Sequence, residues 1–434
     1  MCKISVVMNL LSQKEAYFAM GYIRKIALLS GLCMFALAAI TSAAPLTIDQ
    51  AVEMALKNHL DIKIAANEEQ EARYSLQSAK GSKGVSLAAS NNTYLKKPGS
   101  SADASNSSMT LTLPLYSGGK NEGNIKIAET DVTKAELNSV KTKLDVKSNT
   151  ISDYLTVIKT HQAQAVAQET VDNYQQHLTN VKEQYSVDNV AKADVLRSEV
   201  ELADAQQTLL QAQNAYAVAV NTLKKQLRWK EAGELELIEE FQYVPFTMTM
   251  EESVAYAKAH SPELEKYRLS VQSAEQSAAV AKADSKPSVS LTSGMSWSDT
   301  SIGENSEDTY VGLTTSWNLF DSQVTKSKVK KAKSSVDTAR LELESQEDAI
   351  ELSVKEYYLN MKEAEKRRDT TQLAISKAKE DYSIAVAKYR VGEGVILDVI
   401  DAQLALTTAQ NNYIAAQYAY ADYKAKLENG IGMN

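Results

Sequence analysis

The spacing of apolar residues changes between a helical and a strand period, and the same succession of changes occurs twice along the chain. Residues 51–80 and 253–282 are each predicted to form one helix, because both are rich in Ala, Gln, Glu and Lys and have an acidic residue near the start. The first helix is expected to stop at Gly81 and Gly84, and the second at Pro287. Each half of the chain therefore begins with a helix.

Alternation of apolar with small polar residues follows each of these helices and predicts two β-hairpins. The four predicted strands cover residues 85–95, 109–116, 288–297 and 310–319. Each is about ten residues long, which suits a tilted transmembrane strand. Aromatic residues near the strand ends are candidates for contact with the membrane interface. They are Tyr94, Tyr116, Trp297, Trp317 and Phe320.

A half-buried sheet in a soluble domain is the other interpretation of these hairpins. Such a sheet needs an apolar element to cover it, but the rest of the chain is long polar helix. Membrane strands are therefore favoured. Four strands cannot close a membrane barrel, because the smallest barrels have about eight, and an open edge in lipid leaves backbone groups without hydrogen bonds. Several chains must then contribute to one barrel.

The longest elements follow the hairpins. Residues 120–185 and 323–389 are each predicted to form a helix of roughly 100 Å. Apolar residues at heptad spacing predict that each long helix packs against the helix that returns from it. These residues are Leu137, Leu144, Ile151 and Ile158 on the first outgoing helix, and Val195, Leu202, Leu209, Tyr216 and Leu223 on its return. The second return carries Val399, Leu406, Tyr413, Tyr420 and Leu427. Each half thus contains an antiparallel coiled-coil hairpin.

The turn at the end of the second coiled coil has the most distinctive sequence of the chain. Gly392 and Gly394 allow the backbone to turn just after Tyr389. Asp398 and Asp401 then lie three residues apart at the start of the next helix, where the helix dipole favours carboxylates.

The same pattern occurs 204 residues earlier, with Tyr185 and Asp194 at the positions of the second-half Tyr and the first Asp. The chain is therefore a duplication, and the two turns are equivalent tips. Four segments follow: a signal peptide at residues 1–43, repeats at 44–229 and 249–434, and a linker at 230–248. Within the repeats, the hairpins are placed at 84–117 and 287–320, and the coiled coils at 118–229 and 321–430.

Charge and cysteine content narrow the class of protein. The predicted signal peptide has a basic start, an apolar stretch and small residues at its end, and Met20 is an alternative start of translation. Both cysteines, Cys2 and Cys33, lie in it, so the exported chain must be held together by packing or assembly rather than by disulfides. The whole chain has a net charge of −8 and the leader +3, which leaves −11 and argues against a nucleic-acid partner.

Two tandem units of helix, hairpin and coiled coil, with the tip pattern Tyr-x-x-Gly-x-x-x-x-x-Asp-Val-x-x-Ala-Gln, resemble the TolC family of outer-membrane efflux proteins. The resemblance covers Leu46 to about Ile431. It implies a homotrimer whose twelve strands form one β-barrel in the outer membrane, above an α-helical barrel that crosses the periplasm. It implies a passive exit duct for efflux or type I secretion, opened at its helical tips by a periplasmic adaptor and an inner-membrane transporter of the RND, ABC or MFS type.

The resemblance also assigns roles at the tips. It implies that Asp398 and Asp401 form acidic rings at the periplasmic entrance, although ordinary acids at a helix start would give the same sequence. It implies that Tyr389 belongs to a network that holds the entrance closed, with Asp194 as the matching first-repeat acid. Where the family can have a bridging Arg this chain has Gly394, and its only nearby Arg is Arg390, before the turn, so the closing network must differ.

Nothing in the sequence favours catalysis, a metal or a cofactor. There is no Gly-rich phosphate loop and no nucleophile elbow, and the four histidines are scattered and expected at the surface: His59, His161, His177 and His260. A basic cluster after the last strand could contact lipid phosphates or form a solvated face. It contains Lys326, Lys328, Lys330, Lys331 and Lys333. The alternative function is a structural coiled-coil protein or periplasmic adaptor without a pore.

Overall fold

The computed structural model describes residues 45–94, 104–230, 235–238, 243–300 and 306–433. The predicted signal peptide lies outside these ranges, as do the tips of both β-hairpins and part of the linker. The described residues form two units: residues 45–47 and 235–238 belong to a small one, and the other described residues belong to a large one. In the small unit, Leu46 forms a single parallel bridge with Leu237.

The large unit contains two repeats of the same architecture, joined through one sheet. The elements of the first are α1 (Ile48–Asn58), α2 (Leu60–Gly81), β1 (Ser86–Tyr94), β2 (Ala104–Tyr116), α3 (Lys120–Ser186) and α4 (Lys192–Leu227). Those of the second are α5 (Met250–His260), α6 (Pro262–Ala283), β3 (Ser288–Thr300), β4 (Ser306–Ser316), α7 (Val324–Arg390) and α8 (Ile396–Ile431). The helices α3 and α7 both have 67 residues, and α4 and α8 both have 36. The predicted duplication is confirmed.

The leading helix of each repeat is broken, which corrects the prediction of one helix over residues 51–80 and one over 253–282. In the second repeat, Ser261 caps a new helix by accepting a hydrogen bond from the Leu264 N–H, and Pro262 occupies its first turn. Proline favours this position because its missing N–H has no partner in a first turn. In the first repeat the His59 side chain caps the new helix by accepting from the Asp61 N–H. Helical composition is the same on both sides of each break and so did not reveal it.

The four strands form one antiparallel sheet in the order β1-β2-β3-β4, so β1 and β4 are its edges. The strand β2 begins at Ala104, earlier than predicted, because polar side chains also bond across the ladder, as Ser90 does with Ser108 at 2.9 Å. The strand β4 ends at Ser316, before Trp317 and Phe320. All its positions are exposed. The sheet has two open edges and uncovered apolar side chains.

The long helices pack as predicted, in two antiparallel pairs, α3 with α4 and α7 with α8. In addition, α3 packs against α8, which joins the two repeats. All ten predicted heptad residues of the returning helices are buried or half-buried, and Leu223 and its repeat counterpart Leu427 are fully buried. None of the helices in the described ranges contains a stretch long and apolar enough to span a membrane.

The end of the linker is attached to the second coiled coil. The Tyr420 hydroxyl donates to the Val244 carbonyl at 2.9 Å and accepts from the Phe246 N–H at 3.1 Å. The guanidinium of Arg368 lies 4.2 Å above the Tyr243 ring. These contacts fix residues 243–248 beside α7 and α8 without forming a strand or a helix.

Candidate functional site at the helical tips

The two tips have the same backbone geometry although their sequences differ. In the second tip the Glu393 N–H donates to the Lys388 carbonyl at 2.9 Å, with Gly392 at φ 80°. In the first tip the Asn189 N–H donates to the Gln184 carbonyl at 3.0 Å, with a residue other than glycine, Asp188, at φ 59°. Asp tolerates this left-handed conformation better than most residues. Both long helices therefore end in the same tight turn.

The two predicted entrance carboxylates are exposed and are not hydrogen-bonded to one another. The Asp398 carboxylate accepts a hydrogen bond of 3.4 Å from the Val395 N–H and so caps the start of α8. Asp401 lies close enough to Tyr174 to contribute, after burial and Glu201, to raising the pKa of that phenol to about 12. In one chain Asp398 is the first-turn acid that the helix dipole favours, and Asp401 lies one turn further along α8. A ring of them requires further chains.

Tyr389 is buried, with 6% of its surface exposed, and packs against the other repeat. Its ring centroid lies 5.1 Å from that of His177 on α3. Burial, with a smaller effect from the Asp194 carboxylate, raises the pKa of its phenol. Its hydroxyl has no hydrogen-bond partner among the described residues. Within one chain this tyrosine therefore holds the tip by packing.

His177 is buried at this site, contrary to the prediction that it lies at the surface. Only 5% of its surface is exposed, and its Nε2 has no hydrogen-bond partner in the described part of the chain. Burial lowers the pKa of the imidazole. A local signal was present: His177 lies on the same helix face as the buried Tyr174, Leu178 and Val181.

Further from the tip, polar side chains of α3 and α8 form hydrogen bonds between the two repeats. The Asn173 amide donates to the Gln403 side-chain oxygen at 3.0 Å, and the Thr170 and Thr407 hydroxyls are 3.0 Å apart. Gln403 is buried. Arg390, the arginine before the turn, lines a cavity of about 370 Å³ beside His177. The described residues include no cluster of His, Cys, Asp and Glu that could hold a metal ion.

Of the predicted interface aromatics, four have described side chains, and the side chain of Tyr94 is not described. Trp317 and Phe320 follow β4 and are well exposed, and the Trp317 indole donates to the Ser285 carbonyl at 3.1 Å. Tyr116 ends β2 and is also exposed, as is Trp297 within β3. Three of these four aromatics thus lie where the sheet meets the helices.

Comparison with known proteins identifies the family. The family model of outer membrane efflux proteins matches residues 51–227 and 254–433. The chain therefore belongs to the outer membrane efflux protein family, which places it in the outer membrane with its helical part in the periplasm. It is 26% identical over 149 residues to the outer membrane protein TolC of Salmonella enteritidis. That aligned stretch is 34% of this chain and spans only 30% of the relative.

Solved structures share the fold. The outer membrane channel CmeC of Campylobacter jejuni superposes with a TM-score of 0.77 at 17% identity, over 89% of this chain and 85% of CmeC. The outer membrane protein VceC of Vibrio cholerae superposes with a TM-score of 0.75 at 16% identity, over 89% of this chain and 96% of VceC. The predicted fold class, a membrane sheet on a helical barrel built from two repeats, is confirmed.

Acidification should loosen the tip through His177. Because burial holds the folded-state pKa below the usual value near 6.5, the stability that the neutral ring contributes is complete above about pH 6.5 and is lost as the pH falls through the folded-state pKa. Hydrogen exchange of residues 389–400, corrected for intrinsic rates, should be faster at pH 5.5 than at pH 7.5. His177→Gln should abolish the difference, and the exposed-site control His260→Gln should retain it. An unchanged pH response in His177→Gln would contradict the assignment.

Removing the Tyr389 hydroxyl should not open the tip. A buried hydroxyl without a partner costs about 1–3 kcal/mol, so Tyr389→Phe should raise the free energy of local opening by roughly 1 kcal/mol. Tyr389→Ala should lower it by about 3–5 kcal/mol, since it empties a packed site. Hydrogen exchange of the tip amides measures both changes, with Tyr185→Phe as the matched control. A loosened tip in Tyr389→Phe would show instead that the hydroxyl makes a necessary hydrogen bond.

Proposed function

We propose that this protein is the outer-membrane exit duct of a tripartite efflux or type I secretion system. Three chains form one passive channel, closed at its periplasmic tips at rest. A periplasmic adaptor and an inner-membrane transporter of the RND, ABC or MFS type open the tips and supply the energy. Family membership and the open four-stranded sheet support this proposal.

The two open edges of the sheet favour assembly of several chains. The edge strands β1 and β4 have unpaired backbone groups on their outer sides. In hydrocarbon each unpaired group costs several kcal/mol, so β4 of one chain must pair with β1 of the next until the ring closes. Three chains supply twelve strands. An adaptor without a pore has no need of such a sheet, and this favours the duct over that alternative.

The duplication supports the same assembly through the helices. Ile400 on α8 is 7% exposed because it packs against the first repeat, whereas its counterpart on α4, Leu196, is 52% exposed. Likewise Leu155 on α3 is 7% exposed and its counterpart on α7, Leu359, is 58% exposed. The helices with an uncovered face are thus α4 and α7. In the duplication α4 is equivalent to α8, and α7 is equivalent to α3. Because α3 and α8 pack together within the chain, a contact of α7 with α4 of a neighbouring chain would repeat a contact already present.

The tip tyrosines show the same difference in burial between equivalent positions of the two repeats. Tyr389 is buried against the first repeat, but its counterpart Tyr185 is 42% exposed. Closing the ring would place Tyr185 beside the second repeat of a neighbouring chain. Three copies of Asp398 and Asp401 would then bring six carboxylates to one narrow entrance, which would favour cations over anions.

The decisive experiment measures oligomeric mass and planar-bilayer conductance of the mature protein purified in detergent. A trimer with small, cation-selective currents that divalent ions block is expected. A soluble monomer or dimer that does not insert would show that the hairpins are not membrane strands and would overturn the proposal.

The entrance ring is tested separately. Asp398→Ala combined with Asp401→Ala should lower the cation-over-anion permeability ratio of single channels, because it removes six charges from the mouth. Glu342→Ala combined with Glu344→Ala is the matched control: both are exposed, lie on α7 near the sheet, and remove the same charge. An unchanged ratio in the first variant would exclude the acidic ring while leaving the duct intact.

A further inference from the structure

The start of α7 carries an unusual concentration of positive charge. Five lysines lie between residues 326 and 333, and no acidic residue occurs from 322 to 336. The first turn of the helix has no acid either. A helix N-terminus already has a positive partial charge, so lysines there are electrostatically unfavourable unless an external anion is present. One carboxylate, that of Asp321 just before the helix, accepts a hydrogen bond from the Thr325 N–H at 2.8 Å, and it faces five lysines.

Most of these lysines lack an ion pair among the described residues. Lys328 lies 3.6 Å from Asp284, but that carboxylate already binds Lys120 at 2.8 Å. The remaining exposed lysines at this junction form what we call the lysine patch. Lys282 lies in the last turn of α6 and Lys286 lies three residues after its end. The other members, on α7, are Lys326, Lys330, Lys331 and Lys333. The Lys328–Asp284 contact holds the two groups of lysines next to each other.

The first repeat shows that this charge is not a requirement of the fold. The counterparts of Lys326 and Lys333, 204 residues earlier, are Glu122 and Glu129. Glu122 pairs with Lys83 at 2.7 Å, and Glu129 lies 3.8 Å from Lys80. The same backbone is therefore nearly charge-balanced in one repeat and strongly cationic in the other. The difference in charge lies in the side chains alone, which indicates an anionic partner specific to the second repeat.

The position of the patch identifies that partner. Its α7 lysines begin within a few residues of Trp317, Leu319 and Phe320, which are 58%, 78% and 85% exposed at the end of the sheet. At 1.5 Å per residue the patch extends over roughly 15 Å of helix from this point. Exposed apolar and aromatic side chains next to lysines are the combination that binds an anionic membrane surface.

We propose that the lysine patch binds the phosphate groups of anionic phospholipids in the periplasmic leaflet of the outer membrane. Trp317, Leu319 and Phe320 enter the interface, and the long lysine side chains extend to the headgroups. This inference rests on the proposed placement of the sheet in the membrane. Each lysine near an anionic surface contributes about fivefold to binding.

The test compares lipids and matched variants of the full-length mature protein in detergent. Phosphatidylglycerol or phosphatidylcholine is titrated in, and the thermal midpoint and the co-purified lipid are measured. The wild type should bind phosphatidylglycerol at least tenfold more tightly than phosphatidylcholine, and free glycerol phosphate should cause no shift. The variant K326Q/K330Q/K331Q/K333Q should lose this preference. The control K366Q/K377Q/K379Q/K388Q removes the same charge from the same helix, far from the sheet, and should keep it.

Three outcomes decide against the inference. Equal binding of both lipids by the wild type would overturn it while leaving the duct intact. A lysine variant that dissociates into single chains equally with and without lipid would show that the patch contacts a neighbouring chain instead. Failure of the wild type to insert into vesicles of either lipid would overturn the proposed function, and the lipid site with it.

Discussion

The structure depends on the hydrogen-bonding requirement of the backbone at the two edges of its sheet. The four strands satisfy one another only internally, so β1 and β4 leave one chain incomplete in a membrane. Apolar side chains such as those of Val311 and Leu313 are also 72% and 67% exposed. Both deficits are met by lipid and by further copies, and the helices below the sheet must then form a ring of the same symmetry.

Because the chain is a duplication, such a ring can use the same type of helix contact within and between chains. In the proposed assembly, the contact of α3 with α8 inside the chain is repeated between chains, because the long helices of the two repeats have equal lengths. What differs between the repeats is then informative. His177 is buried where its counterpart Asp381 is exposed, and Glu122 occurs where its counterpart is Lys326. In the proposed assembly, these substitutions would distinguish the faces that meet other chains or lipid from those that meet inside the chain.

At the second tip the buried side chains are uncharged aromatic rings, and the charged side chains are exposed. Buried aromatic rings, Tyr389 against His177, connect the repeats, while the carboxylates of Asp398 and Asp401 remain exposed at the start of α8. Within one chain the tip is held by van der Waals contact between neutral side chains. In the proposed duct, opening the entrance would therefore require the loss of packing between helices rather than the breaking of many ion pairs.

The sequence by itself determined the repeated elements, the long helices, the four strands and the tip turns, because their periodicity, glycines and prolines act locally. The break before Pro262 was also encoded locally, although composition concealed it. The burial of His177 was decided by the tertiary structure, since α7 and α8 reach it from more than 200 residues away in the chain. So was the pairing of β2 with β3, which joins the repeats into one sheet. Such contacts depend on how whole elements pack, and no short stretch of sequence contains that information.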